Sequence, residues 1–380
     1  MLTMTFSGLF GQKTISELTK DATKKDGYFT YYWDEKGGKV FLEIENLEQE
    51  FLYVSSLAAG IGSNDIGLDR GQLGSTKIVE FRKVGPKVFM VQPNYSYRAS
   101  SDNADEVRAV DEAFAESVIF AFKIEAEENG KMLVDMTSFL TRDSHGVVGR
   151  LRREGSYRLD GNRSAIYPPN LKNFPKNSEF EATLTFAGTA NGRFIRSVTP
   201  TADAVTVRTH HSFIELPDNN YTPRLHDARA GYGAISYMDY ATPIESSITK
   251  RYIRRHRLEK KNPRAKTSEA VEPIIYYVDR GAPEPIKSAL IEGAQWWNEA
   301  YEAAGFKNAF QVKEMPKGAD NLDVRYNVIQ WVHRSTRGWS YGSSITDPRT
   351  GEIIKGHVSL GSLRVRQDFL IAQGLLTPYE

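Results

Sequence analysis

The stretch Phe120-Ala-Phe-Lys-Ile-Glu-Ala-Glu-Glu-Asn-Gly-Lys131 decides the class of the fold. Phe120, Phe122 and Ile124 alternate with polar neighbours, so an extended backbone gives them to a core and leaves the opposite face to water. Asn129-Gly130 supplies the positive φ that a two-residue hairpin loop requires, and the chain is expected to double back there. The same grammar extends in both directions. Val40, Leu42 and Ile44 alternate after Gly37-Gly38, and another turn signal stands at Asn191-Gly192. One segment breaks the pattern: Asp105 to Ala115 spaces Val107, Val110 and Phe114 by three and four, which predicts a short amphipathic helix. Residues 27–215 therefore read as a β-rich, antiparallel N-terminal domain behind an N-terminal segment, 1–26.

From residue 216 to 272 the periodicity fades. Pro217, Pro223, Pro243 and Pro263 interrupt it, and the run from Lys250 to Arg264 is basic, with Arg254, Arg255, Arg257, Lys260 and Lys261 among its charges. So long an irregular connection is expected to wrap a surface and to hold the domain boundary. Its charges are expected to form a solvated face or to pair with acidic groups of the same chain.

Residues 273–380 alternate strand and helix. Pro273 to Val278 is β-branched and Tyr-rich, and a helix is predicted from Glu284 to Ala304, with Pro285 in its first turn and Gly305 past its end. Ile286, Leu290, Gly293, Trp297, Ala300 and Ala304 share a stripe of it. Strands follow at Ala309 to Glu314 and Val324 to Val332. Trp339 to Thr346 and Glu352 to Leu360 are then joined by Asp347-Pro-Arg-Thr-Gly351, where Pro and Gly suit a tight turn, and a last helix runs from Ser362 to Gly374. The fold class is α+β.

Composition narrows the chemistry. In 380 residues there is no Cys, which excludes disulfides, thiol nucleophiles, iron–sulfur clusters and thiolate zinc sites. With 49 Lys plus Arg against 48 Asp plus Glu, the net charge of +1 argues against nucleic acid as a partner. No stretch approaches the roughly 18 apolar residues of a membrane span, and Met1–Phe10 lacks the basic start and full apolar run of a signal peptide.

The sequence contains no His-Glu-x-x-His and no two His four apart. His210-His211 lie on an expected strand and so point to opposite faces, while His145, His226, His256, His333 and His357 stand alone; all seven are expected to be structural. Gly338-Trp339-Ser340-Tyr341-Gly342 matches the nucleophile elbow of serine hydrolases, but that motif needs a helix after it and a β-run follows instead. Gly60-Ile-Gly62 with Gly67, Gly71 and Gly74 lacks the spacing of a phosphate loop and is expected to be a long surface loop. No residue is assigned as catalytic or as a metal ligand.

Longer strings carry a resemblance. Pro273-Ile-Ile-Tyr-Tyr-Val-Asp-Arg-Gly-Ala-Pro-Glu-Pro285, Glu292-Gly-Ala-Gln-Trp-Trp-Asn298, Tyr326-Asn-Val-Ile-Gln-Trp-Val-His-Arg-Ser-Thr-Arg-Gly-Trp339, Asp347-Pro-Arg-Thr-Gly-Glu352 and Gly361-Ser-Leu-Arg-Val-Arg-Gln367 resemble bacterial secreted zinc-dependent metalloproteases. These are metzincin-like enzymes with a β-rich N-terminal domain of unassigned role. Asp65-Ile-Gly-Leu-Asp-Arg-Gly-Gln-Leu-Gly74, Arg163-Ser-Ala-Ile-Tyr167, His210-His-Ser-Phe213 and His256-Arg-Leu-Glu-Lys-Lys261 resemble the N-terminal part, so the likeness covers nearly the whole chain.

The resemblance implies that residues 273–380 form the mixed-sheet upper subdomain of a metzincin-like catalytic domain. In that fold one antiparallel edge strand pairs with the bound peptide, and Trp339, Ser340, Tyr341, Gly342 and Ser343 would supply that contact here. It implies a secreted or periplasmic protein, a peptide or protein substrate, and zinc held by a His-Glu-x-x-His helix plus a third His. The sequence reaches Glu380 before any such helix, so the family's ligands map onto none of its residues. This chain is expected to bind no zinc and hydrolyse nothing alone, and to leave an uncovered sheet face open to association. Two rival readings are a non-catalytic binding, inhibitory or chaperone module, and a serine hydrolase using Ser340.

Overall fold

The structure, a computed structural model, describes residues 13–335 and 338–377; the opening Met1–Phe10 lies outside the described residues. Among the described residues twelve strands form one curled antiparallel sheet. In spatial order they are Thr23–Lys25, Tyr31–Asp34, Lys39–Ile44, Lys131–Asp135, Ser117–Glu128, Lys87–Gln92, Leu73–Val84, Phe51–Ala59, Ala204–Ile214, Asn177–Ala190 and Gly155–Ile166, with Lys172–Phe174 beside the start of Asn177–Ala190. The expected hairpin closes with Glu128 opposite Lys131, and Asn129 and Gly130 take φ of 52° and 79°. Asn191-Gly192 does otherwise. Both of its N–H groups donate to Glu154 O, and Gly192 opens the helix Arg193–Val198 in place of a hairpin turn. The helix expected at 105–115 spans Ala104–Ala113, capped by Asn103.

The curl brings the first strands round to the last. The Asn173 side-chain amide donates to Lys25 O and Phe29 O, Tyr28 N donates to Phe174 O, and Phe29 N donates to Ser178 Oγ, so the first hairpin is clasped to the far side of the sheet. Aromatic rings fill the enclosed space. Phe213 lies at its middle, with the rings of Phe51, Phe180, Tyr53, Phe29 and Phe139 between 5.1 and 6.2 Å away. Such edge-on and tilted pairs add to the large area each ring removes from water.

The segment 216–272, expected to be irregular, contains three strands, of which the two-residue Ser268–Glu269 pairs with Phe306–Lys307. Ala234–Asp239 and Thr249–Ile253 pair with each other, and Ala234–Asp239 pairs with Tyr97–Arg98 of the β-rich domain. Backbone pairing of this kind ties the connection to the domain it follows.

The C-terminal part is a mixed sheet of five described strands in the order Phe310–Glu314, Ile274–Val278, Asn327–Val332, Ile353–Gly361 and Tyr341–Thr346. The first four run parallel, and Tyr341–Thr346 is an antiparallel edge. The molecule is α+β, β-rich and antiparallel first, mixed second. On one face of the mixed sheet Ile286, Leu290 and Ile291 pack on Val278, Ile329 and Trp331. The other face meets the β-rich domain, where Ile345 and Val324 join Leu52, Val54, Ile78 and Ile214.

The expected uncovered face is therefore covered on both sides. Exposed apolar surface lies instead on the helix Ser362–Leu376, where Phe369, Leu375 and Leu376 are largely open to solvent and no residue is buried. The predicted helix from 284 to 304 is also two helices, Ile286–Gln295 and Trp297–Ala303, broken at Trp296. The break turns Trp297 out of the expected apolar stripe, and its side chain is exposed.

Candidate functional site

The two edges of the mixed sheet are treated differently. A parallel edge strand leaves alternate N–H and C=O groups without partners, and a free row of them invites another strand. At Phe310–Glu314 side chains take the leading half of the row. Gln295 donates to Phe310 O at 3.2 Å and accepts from Val312 N at 2.8 Å, and Asn298 accepts from Phe310 N at 3.2 Å.

The opposite edge, Tyr341–Thr346, has no such side-chain cover, and it is open at its leading end, Ile345 and Thr346 being buried. Among the described residues it pairs with Ile353–Gly361 alone, Gly342 opposite Val358 and Ser343 opposite His357, and no side chain bonds to its outer backbone. All five residues singled out for peptide contact lie here. Trp339 and Ser340 stand just ahead of the strand and Tyr341, Gly342 and Ser343 within it; Trp339, Ser340 and Gly342 are exposed. Ser340 Oγ accepts from Gly361 N at 3.1 Å, and among the described residues no histidine ring bonds to it, so the elbow reading finds no base.

Sequence reasoning missed what underlies this edge. The Gly60–Gly74 segment, expected as a surface loop, is wedged between the β-rich domain and the mixed sheet, with Leu68 and Ser63 fully buried. Gly62 O accepts from Ser335 N at 2.7 Å. Arg334, 3% exposed, donates to Asp69 at 3.0 Å and to Trp339 O at 3.0 Å, while Arg70 donates to Trp331 O at 3.1 Å. Gly71 sits at φ +78°, and a Cβ there would lie 1.9 Å from Gln330 Oε1. A glycine at 71 was the one available signal, because only glycine allows both that φ and that approach.

A charged cavity of about 220 Å³ lies between the two parts, lined by Glu179, Glu181 and His210 from one and Gln330, Lys355 and His357 from the other. His210 Nδ1 lies 3.2 Å from Glu181 and its Nε2 bonds to Glu179. Burial opposes a charge on His210, yet the two carboxylates outweigh it and raise its pKa to about 9. Lys355 is wholly buried, which lowers its pKa to about 8; it donates to Asn321 O and Asp323 O. Burial also lowers His357, to about 4. As expected from the strand period, His211 faces the other way. It bonds to the Tyr53 hydroxyl at 3.0 Å and to Leu140 O at 3.1 Å, and burial holds its pKa near 3.

This cluster does not suit a metal. Both ring nitrogens of His210 are taken by carboxylates, and among the described residues no group of three or more His, Asp or Glu could hold an ion. The basic segment pairs internally: Arg257 bridges Asp218 and Glu352, and Lys261 meets Glu269. No helix among the described residues is long and apolar enough to cross a membrane.

Two family models match the chain, and the gap between them falls at the buried loop, inside the β-rich domain. A family model described as Domain of unknown function (DUF5118) matches residues 12–60. A second, described as Domain of unknown function (DUF5117), matches residues 71–261, half of the chain. No curated protein and no solved structure matches. The second match begins at Gly71 and runs through the connection to Lys261, taking in the strand Ala234–Asp239 that pairs with Tyr97–Arg98, and on its extent the chain belongs to the family described as Domain of unknown function (DUF5117).

Proposed function

We propose that this chain is the N-terminal portion of a zinc-dependent, metzincin-like metalloendopeptidase, secreted or periplasmic, and that Tyr341–Thr346 receives the substrate peptide as an added strand. The observation that carries the reading is the asymmetry of the mixed sheet. Its parallel edge is blocked by Gln295 and Asn298, and its antiparallel edge is left unpaired beside exposed Gly342. A peptide added there gains main-chain hydrogen bonds along the strand, and Gly and Ser side chains let its backbone approach. The strand order, parallel except for this edge, is the arrangement the resemblance implied.

Zinc chemistry is assigned to no residue of this chain. The residues described do not fit the metal, and residues 1–380 contain no His-Glu-x-x-His. Alone, the chain is expected to bind peptide without hydrolysing it. The same open edge would serve the second reading, a non-catalytic binding module, which differs in what the parent protein does with the peptide.

The test uses a fluorescent extended peptide of alternating valine and threonine, residues that favour the pleated conformation. Fluorescence anisotropy is expected to register binding to the whole chain and its loss in Gly342→Pro, because proline removes a backbone donor and disrupts the pleat. An affinity unchanged by Gly342→Pro overturns strand addition at this edge.

A further inference from the structure

The open edge is made of residues that hold a strand poorly. Gly338-Trp-Ser-Tyr-Gly-Ser-Ser344 contains two Gly and three Ser, which lack the side-chain packing that stabilises extended backbone. A strand of this composition, paired on one side only, is expected to fray unless something else fixes it. The β-rich domain grips it at both ends.

At the leading end, Asp69 of the buried loop holds Arg334, and Arg334 donates to Trp339 O, the carbonyl just before the strand. At the trailing end, Arg98 reaches the tight turn. Its guanidinium donates to Pro348 O at 2.9 Å and Arg349 O at 3.0 Å, and it lies 3.9 Å above the Tyr237 ring. Glu50 adds a second hold on that turn, accepting from Arg349 at 3.3 Å while Tyr95 donates to it. Between the two grips Ile345 is packed among Leu52, Val54 and Ile78.

We infer that the β-rich domain is a bracket that presets the edge strand Tyr341–Thr346 for strand addition, with Asp69, acting through Arg334, and Arg98 as its two positioning residues. This gives the domain matched by the family model a role in substrate binding, and it rests on the peptide-binding reading above. The physical gain is preorganisation. A strand already held straight loses less conformational freedom when a peptide pairs with it, so more of the hydrogen bonding appears as affinity.

The test is hydrogen exchange measured by mass spectrometry on the whole chain, together with affinity for the valine–threonine peptide. Arg98→Ala is expected to speed exchange of the 341–346 amides about tenfold or more and to weaken peptide binding by a similar factor, with exchange in Phe51–Ala59 and the thermal midpoint unmoved. Arg98→Lys, which can still donate to Pro348 O, is expected to restore part of both. Asp69→Asn keeps the size of the buried side chain and loosens the leading end, so the inference does not hang on one variant. If neither Arg98→Ala nor Asp69→Asn changes exchange in 341–346, the bracket is overturned, while peptide binding is still judged by Gly342→Pro. If exchange rises and peptide affinity holds, the bracket has no part in binding and the inference is overturned, while strand addition is still judged by Gly342→Pro.

Discussion

His210 and His211 are adjacent in one strand and sit in environments of opposite character. The first lies among the carboxylates of Glu179 and Glu181 in the cavity beside the mixed sheet, and the second among the rings of Tyr53 and Phe139 inside the curled sheet. The period of two along a strand is the whole cause: one side chain is sent outward into a charged contact, its neighbour inward into an aromatic one. The outer is held protonated and the inner neutral.

Stability is therefore expected to peak near pH 6.5. His210 is raised to about 9, so its contribution is complete below the unfolded value of about 6.5 and is lost as pH rises toward 9. His211, lowered to about 3, and His256 and His357, each lowered to about 4, act in the other direction. The unfolded chain binds the extra protons below about 6.5, so stability falls as pH drops through that window. Urea midpoints measured from acid to alkaline pH should trace this dome. Lys355, lowered to about 8, adds stability at higher pH, so the arm due to His210 is best measured between 6.5 and 8. His210→Gln should flatten it, and an unchanged slope there would refute the assignment.

Phe213→Ala should destabilise the chain by about 4 kcal/mol, the cost typical of deleting a fully buried ring. Phe213 touches Phe51 and Phe180 on its two neighbouring strands and Phe29 just ahead of Tyr31–Asp34, so the cavity it leaves cannot be filled from one side. Equilibrium denaturation measures the loss. A change below about 1 kcal/mol would mean that the core collapses around the gap.

Gly71→Ala combines a left-handed backbone with a clash against Gln330 and should cost about 2 kcal/mol. The strain falls between the buried loop and the strand Asn327–Val332, so buried Trp331 should report it by a red-shifted emission. Equal stability and an unshifted spectrum would show that the loop can lift without loosening the sheet.

A fluorophosphonate probe should leave Ser340 unlabelled. Its Oγ is engaged with Gly361 N, and no described histidine is placed to take its proton. Labelling that disappears in Ser340→Ala would restore the serine hydrolase reading.

Local signals in the sequence were read correctly where the forces are local. Asn129-Gly130 closes its hairpin because both residues accept positive φ, and Asp347-Pro-Arg-Thr-Gly351 turns because Pro and Gly suit its corners, Gly351 at φ +82°. The five strands of the mixed sheet were legible within a few residues. What stayed hidden depends on partners distant along the chain. Asp69 and Arg334 are 265 residues apart, and apart from Gly71 nothing in the composition of Gly60–Gly74 distinguishes a buried wedge from a surface loop. Asn191-Gly192 carries a turn signal, but Glu154 O takes both of its N–H groups and draws the chain into a helix.

The sealed edge at Phe310–Glu314 sets a limit on self-association. A sheet open at both margins can recruit copy after copy and grow without end, whereas one open at a single margin can pair once, the same edge of two molecules meeting antiparallel along Tyr341–Thr346. If crowding ever drives this sheet to associate through its strands, the product is a closed two-fold dimer and not a fibre. Gln295 and Asn298, far from the peptide groove, are what enforce that stoichiometry.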